Sequence, residues 1–124
     1  MLFYPTLKYR DAHAAIAWLE RAFGFTTKES HEGADGTVAH AELQAGDGII
    51  MLGTEPDGGD PRFGRHAGQN WVYAVVEDPD ALHERAVAAG AEVVRELEDT
   101  DYGSREFSAR DPEGNLWSFG TYRP

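Results

Sequence analysis

The chain has 124 residues, 41% of them hydrophobic, a length that suits one domain with a core needing no staples. Eleven Lys+Arg against 22 Asp+Glu give a formal charge of −11, which opposes binding to nucleic acid or anionic membranes and favours cationic ligands through the field of the whole surface. There is no cysteine, so disulfides, thiolate nucleophiles and Cys-ligated zinc or iron–sulfur sites are excluded.

Met1-Leu2-Phe3-Tyr4-Pro5 lacks the basic region and long apolar run of a signal peptide. No stretch approaches the roughly 20 apolar residues of a membrane span, and the expectation is a soluble, cytoplasmic protein. Residues 2–9 read as extended. Asp11 reads as a helix N-cap, and Ala15, Ile16, Leu19, Ala22 and Phe23 recur at helical spacing up to the stop at Gly24. Residues 25–32 read as a polar, Thr-rich edge strand, and Gly33-Ala34-Asp35-Gly36 as a hairpin turn. Strands follow over 38–44 and, after the Asp47-Gly48 turn, over 49–52. Residues 54–69 carry four Gly, two Pro and no aliphatic side chain beyond Ala67, as a loop or linker does. A strand over 70–77 leads to Asp78-Pro79, an N-cap with Pro at the first helical position, and a helix to residue 89 ended by Gly90. Strands over 91–97 and 102–110 come next. Asp111-Pro112-Glu113-Gly114 has the residue order of a type I turn, and residues 115–122 form the last strand.

The order β-α-β-β-β therefore occurs twice, at an offset of 67 residues. Asp11 falls on Asp78, Tyr4 on Trp71 and Met51 on Ser118, while Gly24 and Gly90 are off by one. This predicts one α+β domain over 1–124 with modules of about 1–53 and 70–124 and a linker of about 54–69. Two βαβββ modules related by pseudo-twofold symmetry form a curved mixed sheet around a cleft. A single helix covers only one face of each sheet, and a concave uncovered face is where small molecules bind.

Three stretches carry a family resemblance: Leu7-Lys8-Tyr9-Arg10-Asp11 through Trp18-Leu19-Glu20-Arg21-Ala22-Phe23-Gly24-Phe25; Val75-Val76-Glu77-Asp78 through Ala88-Ala89-Gly90-Ala91; and Tyr102-Gly103, Arg105-Glu106-Phe107 and Arg110-Asp111-Pro112-Glu113-Gly114-Asn115-Leu116-Trp117. The pattern resembles the vicinal oxygen chelate superfamily of glyoxalases, extradiol dioxygenases, fosfomycin-modifying enzymes and bleomycin-resistance proteins. It looks most like the bleomycin-resistance branch. In the superfamily's enzymes, ligands of one metal ion sit early in the first strand and in the last strand of each module. The matching positions here are Tyr4, Met51, Trp71 and Ser118. None is a usual ligand for a divalent cation, so the resemblance implies a binding protein without metal or other cofactor. It also implies a homodimer with clefts between two chains, exchange of modules being one way to build it.

Period-two geometry places Tyr73 with Trp71, and Tyr122 with Ser118, on cleft-facing sides of their strands. Aromatic walls suit flat or cationic ligands. His40 and Glu42 share one strand face and could serve acid–base chemistry if the protein were a lyase or isomerase. Glu106, Ser108 and Arg110 form a similar polar row, and Tyr102 and Arg105 stand at the start of that strand, Arg105 able to close over a ligand. The ligand-binding candidates are thus Tyr4, His40, Glu42, Met51, Trp71, Tyr73, Tyr102, Arg105, Ser118 and Tyr122. His13, His31, His66 and His83 share no ligand spacing and are expected to be solvated. Gly58-Gly59 lacks a phosphate-binding arrangement.

Overall fold

Two aspartates start the two helices. The Asp11 carboxylate accepts a hydrogen bond from Ala14 N at 3.0 Å, and Asp78 accepts one from Ala81 N at 3.1 Å. Each fills one of the backbone donors a helix start leaves unpaired. In the computed structural model, which describes all residues from Met1 to Pro124, the elements are β1 (Thr6–Tyr9), α1 (Ala12–Phe23), β2 (Thr26–Glu32), β3 (Val38–Ala45), β4 (Gly48–Thr54), β5 (Trp71–Val75), α2 (Pro79–Ala88), β6 (Glu92–Asp99), β7 (Arg105–Arg110) and β8 (Leu116–Gly120). No helix is long and apolar enough to cross a membrane.

The strands form two four-stranded mixed sheets, ordered β1-β4-β3-β2 and β5-β8-β7-β6. In each, the first and last strands of the module pair in parallel and the others antiparallel. The repeat is visible in the register. Thr6 pairs with Met51 and Tyr73 with Ser118, both members displaced by 67 residues. Glu42 pairs with Met51 where Ser108 pairs with Ser118, so β3 and β7 are displaced by one residue less. That residue is missing by the helix stops Gly24 and Gly90 and is regained in the longer β7–β8 turn.

Both modules bury one face in a shared core of 19 side chains. α1 contributes Trp18, Leu19, Ala22 and Phe23; the first sheet adds Leu7, Tyr9, Leu43 and Leu52; the second adds Phe107, Ala109, Trp117 and Phe119. Phe23 lies 5.6 Å from the Trp117 ring and 4.8 Å from Phe119, so the first module's helix packs on the second module's sheet. Because both inner faces meet the helices, the outer face of each sheet is left open. His83 departs from the solvated expectation: its ring stands edge-on to Phe107 at 5.2 Å and bonds Glu96.

The Asp-Pro-Glu-Gly turn fastens the modules together. Gly114 N bonds Asp111 O at 2.9 Å, closing the turn. The buried Asp111 carboxylate accepts from Tyr9 Oη at 2.6 Å, Asn115 Nδ2 at 3.0 Å, Trp117 Nε1 at 3.1 Å and two backbone N–H groups. Burial, followed by the Asp111 charge, pushes the Tyr9 phenol far above its ordinary range. Glu113 adds a second tie, accepting from the backbone N–H groups of Arg10 and Asp11.

Several boundaries differ from the sequence expectation: β1 begins only at Thr6, β5 ends at Val75 and β8 at Gly120. β7 begins at Arg105, because Thr100 N bonds Ser104 O at 2.8 Å and turns the chain there. Tyr102 therefore lies in a turn. The segment after β4 has internal structure: Asp60 and Gly64 exchange backbone bonds, and Glu55 accepts from the backbone of His66 and Ala67.

Candidate functional site

The alternation of three strands builds a cavity on the open face of the second sheet. β5 turns Trp71 and Tyr73 outward while Val72 and Ala74 pack on the core. β8 turns Leu116 and Ser118 outward and buries Trp117 and Phe119; β7 turns Glu106 and Ser108 outward and buries Phe107 and Ala109. Tyr102, from the β6–β7 turn, and Tyr122, after β8, raise one wall with their rings 5.7 Å apart in an edge-on pair. Arg95 of β6 closes the far side. The open cleft has a volume of about 820 Å³, within the size range of small-molecule sites.

The cavity's polar atoms bond one another. Trp71 Nε1 donates to Ser118 Oγ at 2.9 Å, and Ser118 Oγ lies 2.7 Å from Ser108 Oγ. Tyr73 Oη donates to the Tyr122 carbonyl at 2.7 Å, and Tyr122 N donates to Ser104 Oγ. On the floor, Glu106 Oε1 accepts from Arg95 Nη2 at 2.9 Å and from Tyr102 Oη at 3.0 Å. Burial alone would raise the Glu106 carboxyl, but hydrogen bonds from Ser104, Arg95 and Tyr102 outweigh it and hold the group below the usual carboxylate range. The Tyr73 phenol is pushed up by burial and then by the Glu106 charge. The Tyr102 phenol is pushed up first by its hydrogen bond to Glu106. Gly120 makes room for this floor, since a Cβ there would stand 2.6 Å from Glu106 Cγ and 2.7 Å from Tyr73 Oη.

Of the ten candidates, Trp71, Tyr73, Tyr102, Ser118 and Tyr122 come together around this cavity. The other five lie elsewhere in the chain. Tyr4 precedes β1 and is exposed. His40 and Glu42 are joined at 3.0 Å on the outer face of the first sheet, where Glu42 pairs in register with Met51. The His40 hydrogen bond holds the Glu42 carboxyl below its usual range. Arg105 is engaged by Asp80 at 2.6 Å and Asp99 at 3.2 Å, outside the cavity. Arg95 was not among the candidates, and Glu106 figured only as part of a polar row. The repeat carries a signal for Glu106: the 66-residue displacement of β3 and β7 sets it on His40, and Ser108 on Glu42.

The family model of the Glyoxalase/Bleomycin resistance protein/Dioxygenase superfamily matches residues 2–119. The chain belongs to this superfamily. Among solved structures, TioX from Micromonospora sp. ML1 is 35% identical, with a TM-score of 0.79 over 98% of this chain and 100% of that one. A bleomycin-binding protein complexed with bleomycin shares the fold at 19% identity and a TM-score of 0.72, over 99% of each chain. An uncharacterized protein of Mycobacterium bovis is 34% identical over 121 residues, 94% of this chain and 80% of that protein.

Some members of the superfamily hold a metal ion, and the side chains here do not fit one. The four positions marked by the resemblance offer a phenol, a thioether, an indole and a hydroxyl. Trp71 and Ser118 use their polar atoms on each other, and an indole N–H has no lone pair to give. No three His, Asp or Glu side chains are grouped to hold a cation.

Proposed function

We propose that this protein is a metal-independent binding protein of the bleomycin-resistance type, which sequesters a flat aromatic antibiotic on the aromatic face of its second sheet. The observation that carries the reading is the exposure of Trp71: 72% of a residue that lines a large open cavity faces solvent. An open aromatic wall of this kind costs solvation and gains by stacking on a planar partner. The bleomycin-binding protein, which shares the fold, supports the antibiotic class. The cavity's polar atoms are hydrogen-bonded to one another, which suits a ligand held by its faces.

The cavity is walled on one side only, by residues of the second module, and the outer face of the first sheet is equally open. A homodimer that sets the first sheet of one chain over the cavity of its partner covers both faces. It also brings His40 and Glu42 to the ligand. Their pairing at 3.0 Å supports a second reading, a lyase or isomerase that moves a proton between this pair and a bound substrate.

One experiment separates the two. The protein is incubated with a planar aromatic antibiotic, dialysed, and the compound is extracted and weighed by mass spectrometry. Sequestration returns the compound with unchanged mass and connectivity, in stoichiometric amount. A rearranged or cleaved product formed in catalytic excess would establish the enzyme reading and end the first.

A further inference from the structure

Ser108 and Ser118 stand directly opposite each other in the β7–β8 register, and both line the cavity. They are almost fully buried, at 4% and 3% exposure. Their hydroxyl oxygens lie 2.7 Å apart, and Ser118 Oγ also accepts from Trp71 Nε1 at 2.9 Å. The two hydroxyls make no other hydrogen bond. Each hydroxyl carries one proton. The bond between the serines uses one of these protons, whichever serine donates it, and the indole brings its own. One hydroxyl proton is therefore left without an acceptor in the protein, at the foot of Trp71. The hydroxyls of Tyr73 and Tyr102 are engaged by contrast, on the Tyr122 carbonyl and on Glu106.

We propose that the Ser108–Ser118 pair is the polar anchor of this cavity, donating its free proton to an uncharged acceptor on the edge of the bound ring system, a carbonyl oxygen or a ring nitrogen. The inference rests on the reading of the cavity as an aromatic-ligand site. It adds one edge contact to a ligand held by its faces, and with it the functional group that ligand carries. The two contacts are compatible. The indole N–H lies in the ring plane and is fixed on Ser118, so a ring stacked on the indole face brings its edge to the serine pair. The same ring stays out of the plane of the indole N–H and does not compete for it. A buried O–H without an acceptor is costlier than an idle lone pair, so the pair favours acceptors over donors. A flat hydrocarbon fills the same space but leaves the proton unpaired, which is the basis of discrimination.

Fluorenone and fluorene test this. They share a flat three-ring frame, one with a carbonyl where the other has a methylene, and neither is charged. Affinities are measured by equilibrium dialysis, with each compound quantified by chromatography. The wild-type protein is expected to bind fluorenone at least as tightly as fluorene, although transfer from water into an apolar cavity favours the hydrocarbon. Either serine alone still carries a proton, so the variant replaces both. Ser108→Ala/Ser118→Ala is expected to lower the fluorenone-to-fluorene affinity ratio about tenfold. Replacing both partners of a hydrogen bond together is nearly neutral for stability, and the ratio cancels any change common to the two probes. A wild type that prefers fluorene, or a ratio unmoved in the double variant, overturns the inference and leaves the aromatic-site reading standing. The wild-type comparison keeps the test decisive if the variant fails to fold. Failure of the wild type to bind either probe overturns the reading itself, and the inference with it.

Discussion

Asp111 is the residue on which the two modules depend most. Its carboxylate is buried and takes five hydrogen bonds, from Tyr9 of the first module and from Asn115, Trp117 and the turn backbone of the second. Truncation leaves several buried donors unmatched, each costing about 1–3 kcal/mol. Asp111→Ala is therefore expected to destabilise the fold by about 4 kcal/mol and Tyr9→Phe by about 1 kcal/mol, measured by urea unfolding. In the sequence Asp111-Pro112-Glu113-Gly114 reads as a turn and as part of the family resemblance, without its partner. A turn signature reports local backbone preference, whereas the partner that makes Asp111 structural, Tyr9, lies 102 positions away. Glu106 contributes to the pH dependence. Its carboxyl is held below the usual range in the folded state. Its contribution is then fully present above the unfolded glutamate pKa of about 4.3 and is lost as pH falls through the folded value. The expected outcome is that wild-type stability drops between pH 5 and pH 3 (roughly) by more than that of Glu106→Gln, read as the shift in urea midpoint.

The elements themselves were legible where the signals were local. Asp11, the spacing of Leu19, Ala22 and Phe23, and Gly24 defined α1 to the residue. The turn at Gly33–Gly36 and the alternation of β3 located the first hairpin to within one residue at each strand end. β7 was drawn three residues too long because a Thr100–Ser104 turn looks extended in sequence until its hydrogen bonds are seen. α1 also ends in a way no local pattern contains. Arg85 of α2 donates from Nε to Arg21 O at 2.9 Å and from Nη2 to Glu20 O at 3.0 Å, satisfying the carbonyls at the α1 C-terminus. Gly24, at a φ of 74°, brings the chain within 3.1 Å of that guanidinium, measured from where a Cβ would stand. Gly24→Ala meets both the left-handed backbone and the arginine, and is expected to cost about 1 kcal/mol or slightly more. Arg85→Ala is expected to cost about 1 kcal/mol through the lost cap. Thermal unfolding of the two single variants and the double variant checks both values and their coupling.

At the scale of the molecule, the repeat gave the architecture, and the register repeats it strand for strand. Trp71 and Ser118 were picked out by the family resemblance, whose metal positions they match, and the offset of 67 pairs them with Tyr4 and Met51. Of the five candidates away from the cavity, His40, Glu42 and Met51 lie on the opposite sheet, Tyr4 precedes β1, and Arg105 of β7 is held by Asp80 and Asp99; pseudo-symmetry generates two open faces, and sequence does not say which chain closes which. The two faces have also diverged in chemistry. The first presents His40, Glu42 and Met51, the second Trp71, Tyr73, Tyr102 and Tyr122 around a neutralised Glu106. If copies cover each other's open faces, sedimentation at micromolar concentration is expected to give twice the chain mass. A monomer at those concentrations would place the whole site on one sheet. The central claim, an aromatic and metal-independent site built on Trp71, is tested most directly by calorimetric titration of EDTA-treated protein with acridine, wild type beside Trp71→Ala. Because Trp71 is 72% exposed, the variant is expected to keep its stability within about 0.5 kcal/mol. The expected result is saturable binding that EDTA leaves unchanged and that Trp71→Ala weakens about tenfold. Binding that vanishes with EDTA and returns with a divalent cation, or that survives loss of Trp71 intact, would contradict it.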